Sequence, residues 1–224
     1  MQKEYLQQQK YELWIMNYEL WIINYELWIR IKTVCSTWNN INKNHINMNN
    51  PILKKHLRVV PDFPIPGIQF QDIAPLFDNP ECLHIMRDEM VELYKGKGIT
   101  KVVGLESRGF LLGPIIASEL NTGFVMARKP GKLPGEVIEY EYKKEYGTDK
   151  IAMLKDAISS DDVVLIHDDL LATGGSMLAA YNLVKSFNPK KIYISCIIEL
   201  TIEGLNGREV LKETGSEITS LLVV

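Results

Sequence analysis

The chain has 224 residues, 46% hydrophobic and 24% charged, with 15 Gly and 10 Pro; this excludes collagenous, wholly disordered and membrane-spanning proteins and suits one globular domain with an appendage. A formal charge of −3 and a pI near 5.9 lack the basic footprint of a protein that grips nucleic acid or an anionic membrane, so a small molecule is the expected partner. Cys35, Cys82 and Cys196 are widely spaced, with no C-x-x-C pair or His cluster beside them, which points to a reducing compartment, the cytoplasm.

Residues 1–50 differ from the rest. All four Trp lie there, while the first Asp is Asp62 and the first Gly is Gly67. YELWI recurs from Tyr11, Tyr18 and Tyr25, a seven-residue period, and an Asn-rich run fills Asn39 to Asn50. Three copies are few for a coiled coil, and Glu12, Glu19 and Glu26 interrupt every apolar run that a signal peptide or membrane span would need. Residues 1–50 are therefore read as a repeat and low-complexity extension, loosely helical or disordered, with an amphipathic partner or surface helix as the alternative. Residues 51–224 form the domain, which carries a net charge of about −4 once the 5 basic and 4 acidic residues of the extension are set aside.

Within the domain, Val60 to Phe77 has proline at 61, 64, 66 and 75 and is predicted to be non-helical. Cys82 to Tyr94 carries a helical apolar stripe; Lys101 to Leu105 is a short strand and Leu111 to Leu120 a helix. Phe124 to Ala127, Val163 to Ile166 and Ile192 to Ile198 read as buried strands, and Met177 to Phe187 as a helix stopped by Asn188-Pro189. This alternation predicts an α/β fold, a parallel β-sheet flanked by helices, with ligands at the carboxyl ends of the strands.

The most informative segment is VVLIHDDLLATGGS, Val163 to Ser176. An apolar strand runs into two carboxylates and then into a small-residue loop that opens a helix. The amides of Ala172, Thr173, Gly174, Gly175 and Ser176 can converge on one anion because their side chains are small or absent, and the helix adds its positive end. No Lys follows the glycines and G-x-G-x-x-G is absent, so a single phosphate is a better guest than a nucleotide tail or dinucleotide. Asp168 and Asp169 would repel that phosphate; their natural targets are sugar hydroxyls or a divalent cation. Diol plus 5′-phosphate describes ribose 5-phosphate. An ordinary strand-end turn would explain TGG alone, but not together with the acidic pair.

The segment resembles the phosphoribosyl pyrophosphate (PRPP) signature of type I phosphoribosyltransferases, and the chain from Val60 to about Leu222 is similar to the adenine phosphoribosyltransferases among them. The resemblance implies a proline-rich N-terminal hood and a flexible β-hairpin lid. GLESRGFLLGP, Gly104 to Pro114, matches the pyrophosphate loop, with Glu106, Ser107 and Arg108 gripping the leaving group and a non-proline cis peptide at Glu106-Ser107. ARKPGKLPGEVIEYEYKKEYG, Ala127 to Gly147, matches the lid: Arg128, Lys129 and Lys132 face the pyrophosphate, and Glu145 acts on the purine N7 proton. PDFPIPGIQFQDI matches the hood, with Phe70 and Leu170 sandwiching adenine and the main chain at Gln69 and Gln71 reading its edge. Gln71 stands where many members have Arg, and His167 takes a position expected to be apolar.

The implied reaction is transfer of 5-phosphoribose from PRPP to N9 of adenine, giving AMP and pyrophosphate, with Glu145 and Arg108 catalytic. Mg²⁺ is implied as cofactor, held mainly through substrate oxygens with no strict protein ligands, and a homodimer as the assembly. The alternatives are transfer to another base and a PRPP-sensing regulator of the same fold.

Overall fold

The computed structural model describes residues 49–143, 148–202 and 204–224, all within the unit Asn47–Val224. The expectation for residues 1–50 lies outside these, apart from its last two. Asn49 and Asn50, grouped with the extension on composition, are bonded into the fold. Asn50 accepts from the Ile52 amide at 2.9 Å to cap helix α1 (Pro51–His56) and donates to Glu89 at 2.7 Å, and Asn49 accepts from the Val223 amide at 2.7 Å.

The centre is a five-stranded sheet in the order β4-β3-β7-β8-β9, built from Gly123–Ala127, Lys101–Leu105, Val163–Leu171, Lys191–Glu199 and Ile218–Val223. Every pairing in it is parallel. The strands read as near-continuous apolar runs because both faces are covered. On one face, Val103, Ile166 and Ile194 pack with Ala180, Leu183 and Val184 of helix α5 (Gly175–Lys185) and with Leu211 of α6 (Gly207–Lys212). On the other, Val102, Leu165 and Tyr193 pack with Met86, Met90 and Tyr94 of α3 (Pro80–Tyr94) and with Leu112 and Ile116 of α4 (Gly109–Glu119). The alternation of neighbouring strand residues between two cores is the period-2 geometry of a strand with two dry faces.

Two small antiparallel ribbons complete the domain: β1 (Arg58–Pro61) with β2 (Gln69–Asp72), and β5 (Val137–Lys143) with β6 (Thr148–Leu154). The first lies in the proline-rich segment. That segment also contains α2 (Ala74–Asp78), contrary to the expectation that it holds no helix. Pro75 occupies the first turn, where a missing N–H costs nothing. The strand read as Val163 to Ile166 extends to Leu171, because β7 pairs with β8 through Leu171↔Glu199 and so carries the acidic pair inside the sheet rather than on a loop. Strands β6 and β9 have no counterpart among the elements read from periodicity. Cys82 and Cys196 are buried free thiols. Among the described residues no helix is long and apolar enough to cross a membrane.

Candidate active site

Three strands deliver their carboxyl ends to one cavity of about 200 Å³. The end of β3 contributes Glu106, Ser107 and Arg108; the end of β4 contributes Arg128 and Lys129; β7 contributes Asp168 and Asp169, with Ser176 from the start of α5. The cavity thus collects both signs of charge at the C-terminal edge of a parallel sheet, where the helix N-termini also point.

The acidic pair is held tightly. The Asp169 amide donates to Asp168 Oδ1 at 2.9 Å, and α4 starts against the pair because Gly109 has no side chain: a Cβ there would lie 2.7 Å from the His167 carbonyl oxygen and 3.2 Å from Asp168 Oδ1. Asp169 is 2% exposed and its Oδ2 has no hydrogen-bond donor, although Arg108 Nε sits 3.0 Å away as an ion-pair partner. Burial pushes both carboxyls upward. Asp168 is raised well above the usual range by burial and by the Asp169 charge, while Arg108 partly offsets the rise at Asp169.

The segments that follow β3 and β4 form a network of ions. Glu106 takes both Arg128 Nε at 3.2 Å and Nη2 at 3.0 Å, plus the Lys129 amide at 3.1 Å. The Arg128 hydrogen bond leads the causes that hold its carboxyl below the ordinary value. The Glu106–Ser107 peptide is cis. Arg128 also donates to the Lys132 carbonyl at 2.9 Å, which folds Lys129–Lys132 back on itself, and the Arg128 backbone exchanges hydrogen bonds with Ala152 of β6 at 2.9 and 2.7 Å.

The Ala172–Ser176 bend carries no charged side chain. Gly174 adopts φ 83°, a left-handed conformation, and no side chain caps α5 behind it, so the first-turn amides have no internal acceptor. Tyr142 of β5 places its hydroxyl 3.5 Å from Ser176 Oγ, and Asn182 of α5 donates to the Tyr140 hydroxyl at 3.1 Å. The body of the β5–β6 hairpin is therefore seated on α5.

The phosphoribosyl transferase domain model matches residues 73–217, which contain all three loops. An adenine phosphoribosyltransferase of Phocaeicola vulgatus is 60% identical over 166 residues, covering 74% of this chain and 94% of the relative. The chain belongs to the adenine phosphoribosyltransferase family. The crystal structure of the Rhodothermus marinus family member superposes with a TM-score of 0.72 at 45% identity, covering 78% of this chain and 97% of that one. The Giardia lamblia family member complexed with 9-deazaadenine gives 0.72 at 42% identity, covering 77% and 96%.

Of the residues singled out in the sequence, Glu106, Ser107, Arg108, Arg128, Lys129, Asp168, Asp169 and Ser176 line the common cavity. Ala172, Thr173, Gly174 and Gly175 form the bend leading into Ser176. Of the residues expected to meet the base, Gln69, Phe70 and Gln71 lie on β2 of the neighbouring ribbon and Leu170 lies near the end of β7. Phe70 on β2 meets Phe63 edge-on at 5.1 Å, and the Arg108 guanidinium lies 5.9 Å from the Phe70 ring. Gln71 is buried and its amide reaches the Gln69 carbonyl at 3.4 Å, while Leu170 is half-buried against the α3–α4 core. Glu145 lies outside the described residues.

Periodicity did not single out Asp149 and Lys150, which also line the cavity from β6. Their only local signal is a charged start to an otherwise apolar strand. His167 is fully buried. His167 Nδ1 shares a hydrogen bond with Ser195 Oγ at 2.9 Å, and that hydroxyl also reaches the Ile166 carbonyl at 3.3 Å. Nε2 has no partner, and burial drops the ring's pKa to about 3, which makes His167 a neutral part of the core.

Proposed function

We infer that the protein transfers the 5-phosphoribosyl group of PRPP to N9 of adenine, releasing pyrophosphate and forming AMP with inversion at the anomeric carbon. The observation that carries this is the convergence on one cavity of an acidic pair, a cationic loop and Ser176, which follows an uncapped glycine bend, from three adjacent parallel strands. They match the diol, the 5′-phosphate and the pyrophosphate of one substrate. The Giardia lamblia relative's adenine-like ligand supports the choice of base.

In this reading the Ala172–Ser176 amides bind the 5′-phosphate and the Asp168–Asp169 pair takes the ribose hydroxyls. Arg108, Arg128, Lys129 and Lys132 stabilise the negative charge that grows on the departing pyrophosphate as the anomeric carbon gains cationic character. Adenine lies between Phe70 and Leu170, with N9 aimed at that carbon, and Glu145 accepts the proton leaving N7. The hairpin lid built on β5 and β6 closes over the reactants and keeps water from the cation-like centre.

The donor set fits Mg²⁺ because Asp168 and Asp169 place two buried, negatively charged oxygen donors on the cavity wall, of which Asp169 Oδ2 has only the Arg108 ion pair for a partner. Substrate oxygens would hold most of its shell, with Asp168 and Asp169 reaching it through its waters, and it would neutralise charge on the pyrophosphate.

We further propose a cytoplasmic homodimer. The buried free thiols suit a reducing compartment. Leu111 on α4 and Met126 on the edge strand β4 are 47% and 43% exposed beside the pyrophosphate loop, a surface suited to a second copy. The deciding experiment incubates the purified protein with PRPP, Mg²⁺ and a panel of adenine, hypoxanthine, xanthine and orotate. AMP formation from adenine alone is the expected result; turnover of another base in preference to adenine overturns the reading.

A further inference from the structure

The phosphate loop rests on a part of the chain that no motif marks. Helix α6 begins at Gly207, whose amide donates to the Ala172 carbonyl at 3.0 Å, directly beneath the bend. The two backbones are in van der Waals contact. A Cβ on Gly207 would fall onto the Ala172 carbonyl oxygen, and would stand 2.9 Å from Leu171 Cδ1 and 3.0 Å from the Gly174 amide nitrogen. A Cβ on Gly174 would in turn meet the Gly207 carbonyl oxygen at 2.9 Å. A methyl group at Gly207 therefore has to lift the bend or displace α6.

α6 resists displacement. The next residue, Arg208, donates from Nε to Glu199 Oε1 at 2.6 Å, forms a second bond from Nη2 to Glu199 Oε2, and reaches the Ile218 carbonyl at 3.1 Å. Ser220 Oγ donates to Glu199 Oε2 at 2.9 Å, and Glu199 is 5% exposed. Glu199 ends β8 and Ser220 lies in β9, so this fork fastens the start of α6 to the two sheet strands farthest from the cationic loop.

We propose that Gly207 is a positioning residue, clamped to the sheet by Arg208 and Glu199, that sets the height of the Ala172–Ser176 amides for the 5′-phosphate. This rests on the reading of that bend as the phosphate site, and it assigns the precision of the site to a residue that touches no substrate. Displacement of the bend weakens every amide contact to the phosphate together, while the hood and the pyrophosphate loop, which stand on other strands, keep their geometry.

The test compares wild type, Gly207→Ala and Arg208→Lys. Calorimetric titration of wild type with ribose 5-phosphate checks the underlying reading; no binding there ends both claims. Given wild-type binding, Gly207→Ala is expected to weaken ribose 5-phosphate and raise KM for PRPP by roughly 10–100-fold, with KM for adenine at saturating PRPP held within about twofold. Arg208→Lys keeps the charge but loses the fork, and is expected to show the same split at about 3–10-fold. It supplies the result if Gly207→Ala does not fold. A folded variant with unchanged ribose 5-phosphate affinity, or KM values for PRPP and adenine that rise in parallel, overturns the positioning role and leaves the phosphate-site reading standing.

Discussion

The pyrophosphate loop and the phosphate loop start from the same plan and are built by opposite means. Each follows the carboxyl end of a parallel strand and opens a helix, α4 in one case and α5 in the other. The first is held by side-chain ions: Glu106 with Arg128, and Arg108 with Asp169. The second meets its support through backbone, Gly174 against Gly207 and the Gly207 amide on the Ala172 carbonyl, and its ions lie one residue away, in the Arg208–Glu199 fork. Charges on flexible stems can change partners when a polyanion arrives and when it leaves, whereas amides must already be in place because the phosphate on the sugar does not change charge during transfer. The ion pairs with Asp169 and Glu106 leave Arg108 and Arg128 compensated.

The acidic pair stands between the two loops, and removing its charge gives the largest expected effect. Asp168→Asn with Asp169→Asn should lower PRPP affinity by roughly a thousandfold, since the ribose hydroxyls lose both acceptors and the cation its anionic partners. Unfolding should not become easier. Two carboxyls whose pKa values are raised by burial are a cost to the fold at neutral pH, so the variant should gain about 0.5–2 kcal/mol in urea denaturation. Lost stability together with lost binding would mean that the pair is structural.

Next in size is Glu145→Ala, expected to reduce kcat by roughly a hundredfold while leaving KM for PRPP within about twofold, as suits a group that acts only on the base. Steady-state kinetics with both substrates varied reads this directly. An unchanged kcat transfers the proton to another group. Arg108→Lys comes third. It retains the charge but not the planar fork, and should weaken product inhibition by pyrophosphate by about tenfold with little effect on ribose 5-phosphate binding. If both ligands weaken alike, the two loops are not the separate devices described above.

The division also explains what could be read from the sequence. The phosphate bend was legible because small residues, an acidic pair and a strand-to-helix switch are consecutive in VVLIHDDLLATGGS. Helix α3 was legible because its apolar stripe is continuous from Cys82 to Tyr94; its start at Pro80, behind the Asn79 cap that accepts from the Glu81 amide at 2.9 Å, is a finding of the structure. Strand β9 and the Gly207 contact were not legible, since a strand is specified by its neighbours and Gly207 meets Ala172 only after the sheet forms. Nor does sequence show that Arg108 rests on Asp169, or that Pro75 falls in a first turn rather than a helix interior. The resemblance assigned roles to residues but supplied neither of these contacts, and where it named Glu106 for pyrophosphate, the carboxylate is bonded to Arg128 and the Lys129 amide.

The smallest expected effect separates the two supports by pH. The acidic pair has raised folded pKa values, so its ionisation costs stability, and that cost is relieved as pH falls from those values toward about 3.9. Glu199 behaves oppositely. Burial pushes its carboxyl up, but hydrogen bonds from Arg208 and Ser220 outweigh that and leave its pKa below normal. Its contribution is present above about 4.3 and is lost as pH falls through the lower folded value. Glu199→Gln should therefore cost only about 1–2 kcal/mol near neutral pH, because Arg208 keeps a third of its surface in solvent and screening weakens the pair. The same variant should flatten the acid limb of the stability curve below about pH 4. In Asp168→Asn/Asp169→Asn the acid limb should persist and the gain on mild acidification should vanish. Denaturant midpoints measured across pH for the three proteins test this assignment; an acid limb unaffected by Glu199→Gln would place the clamp's energy in packing instead of the ion pair.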